Sequence, residues 1–410
     1  MRDRILVIDD DPGIREVVRR VLTADGYEVT ALDSAEELES TLATLQPHLL
    51  LCDVMMPGRD GLEICRIVRA DPQCAAVPII VMTAKLFEED RRAALLAGAT
   101  ECLQKPFENE RLTALVAAQL RTEALVTLCG VRGSIAVPEL GGGRYGGNTS
   151  CLSLALPGQR HLIFDAGTGI RRLGKQLATQ SPLQLALCLT HFHWDHIFGL
   201  PFFAPLYLAG NEVHLCGPAE NDAALVEKIH VEMGGDYFPV SIEAFRATLH
   251  FHGLGEQEFQ VLGAQLSTHY AMHPRRTLAY RLEFEGQALV YAPDNELLGE
   301  TTTGGVTGEA ARFARFAHGA ALLIHDCTYS NAEYARRRGW GHSAPAALAA
   351  VALAAEVERV VLFHHDPDND DDAIDAIYEE FLAALPPDST LMSEPAREGA
   401  SYPLGFPRTR

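Results

Sequence analysis

Residues 190–196 read Thr-His-Phe-His-Trp-Asp-His, so His191, His193, Asp195 and His196 form a His-x-His-x-Asp-His pattern. Imidazoles and a carboxylate packed this densely are the donor types that hold transition metals. The pattern follows Leu183 to Leu189, an apolar run with the length and composition of a buried strand. The ligands therefore emerge at a strand's carboxyl end, where open α/β sheets place their sites. In an extended segment, imidazoles at i and i+2 point the same way and can share one metal. Asp195 and His196 are left to turn toward a second.

The order of apolar run and then ligand recurs along the chain. Arg160 to Phe164 leads to Asp165, Ala288 to Ala292 to Asp294, Ala320 to Ile324 to His325 and Asp326, and Val360 to Phe363 to His364 and His365. Two metals roughly 3.5–4 Å apart need a carboxylate between them and about three further ligands each, more than one loop supplies. Asp165 has two readings, a metal ligand or a buried carboxylate that supports a ligand histidine, and the second is preferred. His342, in Trp-Gly-His-Ser-Ala, either caps the Ala-rich helix that follows or faces the site. His250 and His252 sit in no motif and read as ordinary surface or core residues. The glycine-rich Gly141 to Gly147 lacks the lysine and strand-to-helix setting of a nucleotide loop and reads as a rim of the site.

The first 120 residues have a different rhythm. Short apolar runs, Arg4 to Ile8, His48 to Leu51, Pro78 to Met82 and one ending at Lys105, alternate with amphipathic stretches. That is a βα repeat and hence a parallel sheet covered by helices. Asp9 and Asp10, Asp53, Thr83 and Lys105 close successive runs and should meet at one sheet edge. Three carboxylates together favour a hard divalent cation such as Mg2+, and a lysine and a hydroxyl beside them suit phosphoryl oxygens.

Composition narrows the partners. The 410 residues carry 34 Lys and Arg against 55 Asp and Glu, a formal net charge of −21, and both sides of residue 124 are acidic. This disfavours DNA and anionic membrane surfaces as partners. The nine cysteines form no Cys-x-x-Cys pair and read as reduced thiols. Without a long apolar stretch or a secretion signal, a cytoplasmic protein is expected.

The stretches Val7 to Pro12, Cys52 to Gly58, Met82 to Lys85 and Gln104 to Phe107 resemble a response-regulator receiver domain. The resemblance implies a flavodoxin-like (βα)5 domain over residues 1–122, phosphorylated at Asp53 by a sensor histidine kinase. It also implies that Asp9 and Asp10 help bind Mg2+ and that Thr83 and Lys105 read the phosphoryl group. One position departs from the family: Cys102 stands where receivers usually carry an aromatic. The output can instead pass through the last helix, read as Asn109 to Glu123, or the receiver can be a simple tether.

Residues 123–410 resemble the metallo-β-lactamase-fold hydrolases, an αββα sandwich, and within them the phosphodiesterase branch that includes ribonuclease Z. His273 stands seven residues before Tyr280, as that branch's histidine does, while Asp294 and His364 match the bridging aspartate and the final ligand. The resemblance implies one metal on His191, His193 and His273, another on Asp195, His196 and His364, and Asp294 between them. His269 and His365 are the competing histidines. Zn2+ suits this donor set, and Mn2+ or Fe2+ is tolerable. Asp195 and His342 are the candidates for moving protons. The expected function is a response regulator whose output is a phosphodiesterase for small or cyclic nucleotides. The alternatives are a redox- or oxygen-sensing metal site and a signalling scaffold, and a homodimer is compatible with all three.

Overall fold

In the computed structural model the described residues are 2–71, 74–75, 77–84, 88–120, 124–138, 143–157, 160–180, 182–234, 238–299, 301–302 and 305–404. Lys85, Gly141, Gly142 and residues 121–123, which the sequence reading invoked, lie outside them. The chain forms two compact units, with main bodies Met1–Thr122 and Glu123–Leu156 plus Arg160–Phe406.

The first unit alternates β1 (Arg4–Ile8), α1 (Pro12–Ala24), β2 (Glu28–Leu32), α2 (Leu38–Leu45), β3 (Leu49–Asp53), α3 (Gly61–Ala70), β4 (Ile79–Thr83), α4 (Glu88–Ala97), β5 (Glu101–Gln104) and α5 (Asn109–Leu120). Its sheet is parallel, in the order β2-β1-β3-β4-β5. Helices α1 and α3 begin where the sequence supplies acceptors. Asp11 accepts from the amides of Gly13 and Ile14 at the start of α1, and Asp60 from Glu63 at the start of α3. Strands β1, β3 and β4 are buried on both faces while edge strand β2 is partly exposed, and one side of the sheet packs with α1 and α5 and the other with α2, α3 and α4.

The second unit opens with β6 (Ala124–Gly130), β7 (Cys151–Leu156), β8 (Arg160–Phe164), α6 (Ile170–Ala178), β9 (Gln184–Cys188), α7 (Trp194–Ile197), β10 (Glu212–Pro218), α8 (Asp222–Glu232) and β11 (Thr248–Leu254). The chain then crosses into β12 (Glu258–Val261), β13 (Ala264–Ala271), β14 (Thr277–Phe284) and β15 (Gln287–Ala292). After a small hairpin of β16 (Thr301–Thr302) and β17 (Gly305–Val306) come α9 (Gly308–Phe316), β18 (Leu322–Asp326), α10 (Asn331–Arg337), α11 (Pro345–Ala354), β19 (Arg359–Phe363), α12 (Asp371–Ala383), β20 (Met392–Pro395) and β21 (Ser401–Leu404).

Two seven-stranded sheets result, β11-β10-β9-β8-β7-β6-β21 and β12-β13-β14-β15-β18-β19-β20. Their facing sides share one core, in which Leu154, Phe164 and Ala186 meet Tyr280, Leu289 and Phe363. The alternation of side chains along each strand sends the intervening residues outward: Val290 and Leu323 pack with α9 and α11, and Ile163 and Leu187 with α6 and α8. The unit is therefore an αββα sandwich and the first unit a flavodoxin-like α/β domain. Strands β8 and β9 run parallel, as do β15, β18 and β19, so each set delivers its carboxyl ends to one rim of its sheet.

Two segments differ from expectation. The run from Ala320 begins its strand only at Leu322, because the amide of Ala320 closes a turn onto the carbonyl of Ala317, and the strand takes in His325 and Asp326. The helix read as Asn109 to Glu123 is described to Leu120. Among the described residues, no helix is long and apolar enough to cross a membrane, and the nine cysteines are unbridged.

Candidate metal centre

Asp165 fixes the loop that follows β9. It is fully buried at the end of β8 with φ of 59°, a conformation uncommon without glycine. Its carboxylate accepts from the amide and hydroxyl of Thr190 at 2.8 and 2.9 Å and from the hydroxyl of Tyr291 at 3.0 Å, and its Oδ2 lies 2.8 Å from His196 Nδ1. Tyr280 adds a hydrogen bond from its hydroxyl to the carbonyl of Leu189 at 2.7 Å. The strand end is thus held from both sheets, and Asp165 sets the orientation of His196 through the nitrogen turned away from the centre.

His191, His193 and His273 converge with ring centroids 4.4–5.0 Å apart, and His193 Nδ1 lies 3.3 Å from His273 Nε2. Beside them Asp195 Oδ2 lies 3.2 Å from His196 Nε2 and 3.3 Å from His364 Nε2. Asp294 lies between the two groups, its Oδ2 2.9 Å from His196 Nε2 and 3.3 Å from His364 Nε2 and its Oδ1 3.9 Å from His273 Nδ1. His191 Nε2, His196 Nε2 and Asp294 Oδ2 are buried without hydrogen bonds, although they crowd one another. Donor atoms that approach this closely without hydrogen-bond angles fit ligands aimed at a shared cation, since ligands of a tetrahedral metal with bonds of about 2.0–2.1 Å stand ~3.3 Å apart.

The electrostatics agree with that fit at most of the ligands; at His196 burial opposes the cation, yet Asp195, Asp165 and Asp294 push its pKa well above the ordinary value. Burial holds His191 well below its ordinary pKa and lowers His193 and His273, so neutral imidazoles face the centre with lone pairs available. Burial would raise Asp294, but His364, His196 and His191 hold it well below the usual carboxylate range. Neither competitor reaches the centre. His269 pairs with Glu256 at 3.1 Å, and His365 points its Nε2 at the carbonyl of Ala396 at 2.9 Å.

His342 lies at the wall of an open cleft of about 380 Å³, with Ser134, His193, Trp194, Asp294 and His364. Its Nδ1 is 2.6 Å from Asp326 Oδ2. Burial opposes its cation, yet Asp326 pushes its pKa up to about 9. Asp326 itself is buried, and its other oxygen accepts from the amides of Thr328 and Ser343.

Several contributors escaped the sequence reading. The amide of Ser134 donates to Asp195 Oδ2 at 2.7 Å. Gly133 and Gly341 let backbone pass against the rings of His364 and His273, where an added Cβ would come within 2.2 Å. Thr328 donates to the carbonyl of His364, which holds a φ of 64°. The sequence offered the Gly-Ser and Gly-His pairs as a signal but not the histidines they pack against. In the described glycine-rich residues 143–147, the carbonyl of Gly146 accepts from the buried Arg132.

In the first unit, Lys105 Nζ lies 2.6 Å from Asp9 Oδ2 and 2.8 Å from Asp53 Oδ1. Asp9, Asp53 and Thr83 are buried at neighbouring strand ends, and Asp10 is exposed beside them. Burial raises the pKa of Asp9 despite Lys105, as expected of carboxylates gathered to receive a cation. Cys102 is buried in β5.

Comparison with known proteins agrees with both halves. A model of the response regulator receiver domain matches residues 5–117, and one of the beta-lactamase superfamily domain matches residues 160–365, half of the chain. The DNA-binding response regulator MtrA of Mycolicibacterium smegmatis is 39% identical over 121 residues, which are 30% of this chain and 52% of MtrA. The chain thus spans about half the length of the curated relatives it matches. Among solved structures, the metallo-beta-lactamase fold protein YhfI of Bacillus subtilis superposes with a TM-score of 0.51 at 17% identity, over 68% of this chain and 99% of that one. CheY4 of Vibrio cholerae, a chemotaxis response regulator, matches at 29% identity over 28% of this chain and 97% of its own, with a TM-score of 0.28. The chain belongs to the beta-lactamase superfamily, with the metallo-β-lactamase fold, and carries a response regulator receiver domain ahead of it.

Proposed function

We propose that the second unit is a dinuclear-metal phosphodiesterase for small or cyclic nucleotides, and that phosphorylation of Asp53 by a sensor histidine kinase controls it. His191, His193 and His273 would hold one metal and Asp195, His196 and His364 the other, with Asp294 shared. The observation that carries this reading is Asp294 Oδ2, buried without a hydrogen bond 2.9 Å from His196 Nε2, which is buried in the same way, and 3.3 Å from His364 Nε2. The nitrogen-rich donor set suits Zn2+ and tolerates Mn2+ or Fe2+.

When bound, such a metal pair lowers the pKa of a water toward about 7 and neutralises charge on a phosphodiester. Asp195, steadied by the Ser134 amide, orients the attacking water and takes its proton. His342, kept cationic by Asp326, protonates the leaving oxygen. An adjoining cleft of about 420 Å³ is lined by Phe192, His193, Glu220, Lys228, Arg275 and Arg276; Glu220 pairs with Arg276, and the remaining cations, Lys228 and Arg275, favour anionic substrates with an aromatic part. In the receiver, Asp9, Asp10 and Asp53 would bind Mg2+, with Lys105 and Thr83 reading the phosphoryl oxygens.

The test is hydrolysis of bis(p-nitrophenyl) phosphate by protein of measured metal content, with and without beryllofluoride at Asp53. Turnover should require metal and vanish in His191→Ala. In Asp294→Ala both the second metal and turnover should be lost. Beryllofluoride should change the rate by about 5- to 150-fold, the usual range of coupling between sites. Two bound metals with no turnover on phosphodiesters would overturn the reaction, and equal rates with and without beryllofluoride would overturn receiver control.

A further inference from the structure

On the two strands beyond β9 in the order β11-β10-β9, His250 and His252 belong to a constellation of their own. Strands β10 and β11 pair in parallel, with His214 opposite His250 and Cys216 opposite His252. Side chains alternate along a strand, so Glu212 and His214 share a face of β10, and His250 and His252 stand on the same face of edge strand β11. The rings stack, His214 on His250 at 4.8 Å and 22° and His214 on His252 at 5.2 Å and 16°.

Glu212 Oε1 lies 3.2 Å from His250 Nε2 and 3.5 Å from His214 Nε2. Like the atoms of the dinuclear centre, His250 Nε2 is buried without a hydrogen bond although the carboxylate is close. The two distances bracket the ~3.3 Å edge of a tetrahedron around a metal with bonds of about 2.0–2.1 Å. The remaining contact is His214 Nδ1 to His252 Nε2 at 2.9 Å. A metal on His214 Nε2 requires the proton on Nδ1, and donation to His252 would hold that tautomer.

We propose that Glu212, His214 and His250 form a separate divalent transition-metal site of the Zn2+ class, with His252 as a positioning residue. It shares no residue with the dinuclear centre and does not depend on that reading. Two imidazoles and a carboxylate suit Zn2+. The fourth position faces outward, since the Glu212 and His250 side chains are 41% and 42% exposed, and it takes water or a donor from another molecule. The bound ion staples the edge strand β11 to β10.

The test titrates metal-free full-length protein with Zn2+, and with Co2+ for its visible spectrum, counting equivalents bound. His250→Ala and His214→Ala should each lose one equivalent that His191→Ala retains, while hydrolysis of bis(p-nitrophenyl) phosphate by His250→Ala stays at the wild-type rate. His252→Phe should weaken that equivalent about 10- to 100-fold, and His252→Gln, which keeps an acceptor, should recover most of it. Circular dichroism checks folding; if His214→Ala misfolds, His250→Ala on the edge strand decides alone. Equal equivalents in the wild type and His250→Ala would overturn the site. Equal equivalents in the wild type and His191→Ala would instead overturn the dinuclear assignment and leave this one standing.

Discussion

Asp165 and Gly133 show how single residues aim ligands they do not replace. Asp165 accepts from Thr190 and Tyr291 while facing His196 Nδ1 at 2.8 Å, so it fixes both the loop and the imidazole's tautomer. Asp165→Asn preserves size but removes the charge that makes His196 a better donor. Metal affinity on the His196 side should fall about 10- to 100-fold, read by Zn2+ titration, with helix and strand content unchanged. Wild-type affinity in that variant would make Asp165 a purely structural anchor. Gly133 acts by absence, because a Cβ there would lie 2.2 Å from His364 Cε1 and 2.3 Å from Nδ1. Gly133→Ala must displace the ring, and a shift of about 1 Å at a reacting centre lowers turnover about 100-fold. A Gly133→Ala enzyme with unimpaired kcat would show that the ring can move without consequence.

Strands were legible in the sequence because their information is local. Apolar runs ending in Asp165, Asp294 and His364 mark β8, β15 and β19, and the clustered donors of residues 191–196 mark the loop after β9. What the sequence could not express was distance across the sandwich. The amide of Ser134 on Asp195, Asp326 behind His342 and Glu212 beside His250 each depend on pairing or loop approach between distant segments. His269 illustrates the same limit on β13. One histidine among several in the sequence, it is buried against Phe316 of α9, with centroids 5.0 Å apart, and faces Glu256, Arg312 and Glu309. Burial lowers its pKa although Glu256 pulls the other way. A histidine whose folded pKa lies below the unfolded value of about 6.5 stabilises the fold above that pH and progressively less as pH falls toward the folded pKa. Denaturant midpoints should therefore drop as pH falls below about 6.5, and His269→Gln should make that drop shallower. A slope identical in His269→Gln would place the acid sensitivity elsewhere.

At the scale of the whole molecule, the chain joins an acidic receiver to a unit whose rim gathers Asp195, Asp294, Asp165 and Asp326 among imidazoles. Asp294 Oδ2, His191 Nε2 and His196 Nε2 are buried there without hydrogen bonds, so on the proposed reading bound metal would be part of what stabilises the second unit. The receiver's central strands β1, β3 and β4 are buried on both faces between apolar clusters that contain no imidazole group. A ligand present at about 1,000 times its Kd stabilises the form that binds it by about 4 kcal/mol. In a domain of this size each kcal/mol moves the unfolding midpoint by about 2–4 °C, so stripping the metals should lower one transition by about 8–16 °C. Scanning calorimetry should then show one transition that falls with chelator and returns with Zn2+, and another that stays in place. The stationary transition should be the one that rises when Mg2+ and beryllofluoride are added, and Asp53→Asn should abolish that rise. If chelation leaves both transitions unmoved, the donors at the rim are satisfied without metal and the dinuclear centre is wrong. If both fall together, the two units unfold as one cooperative body and the expectation of separate transitions is wrong.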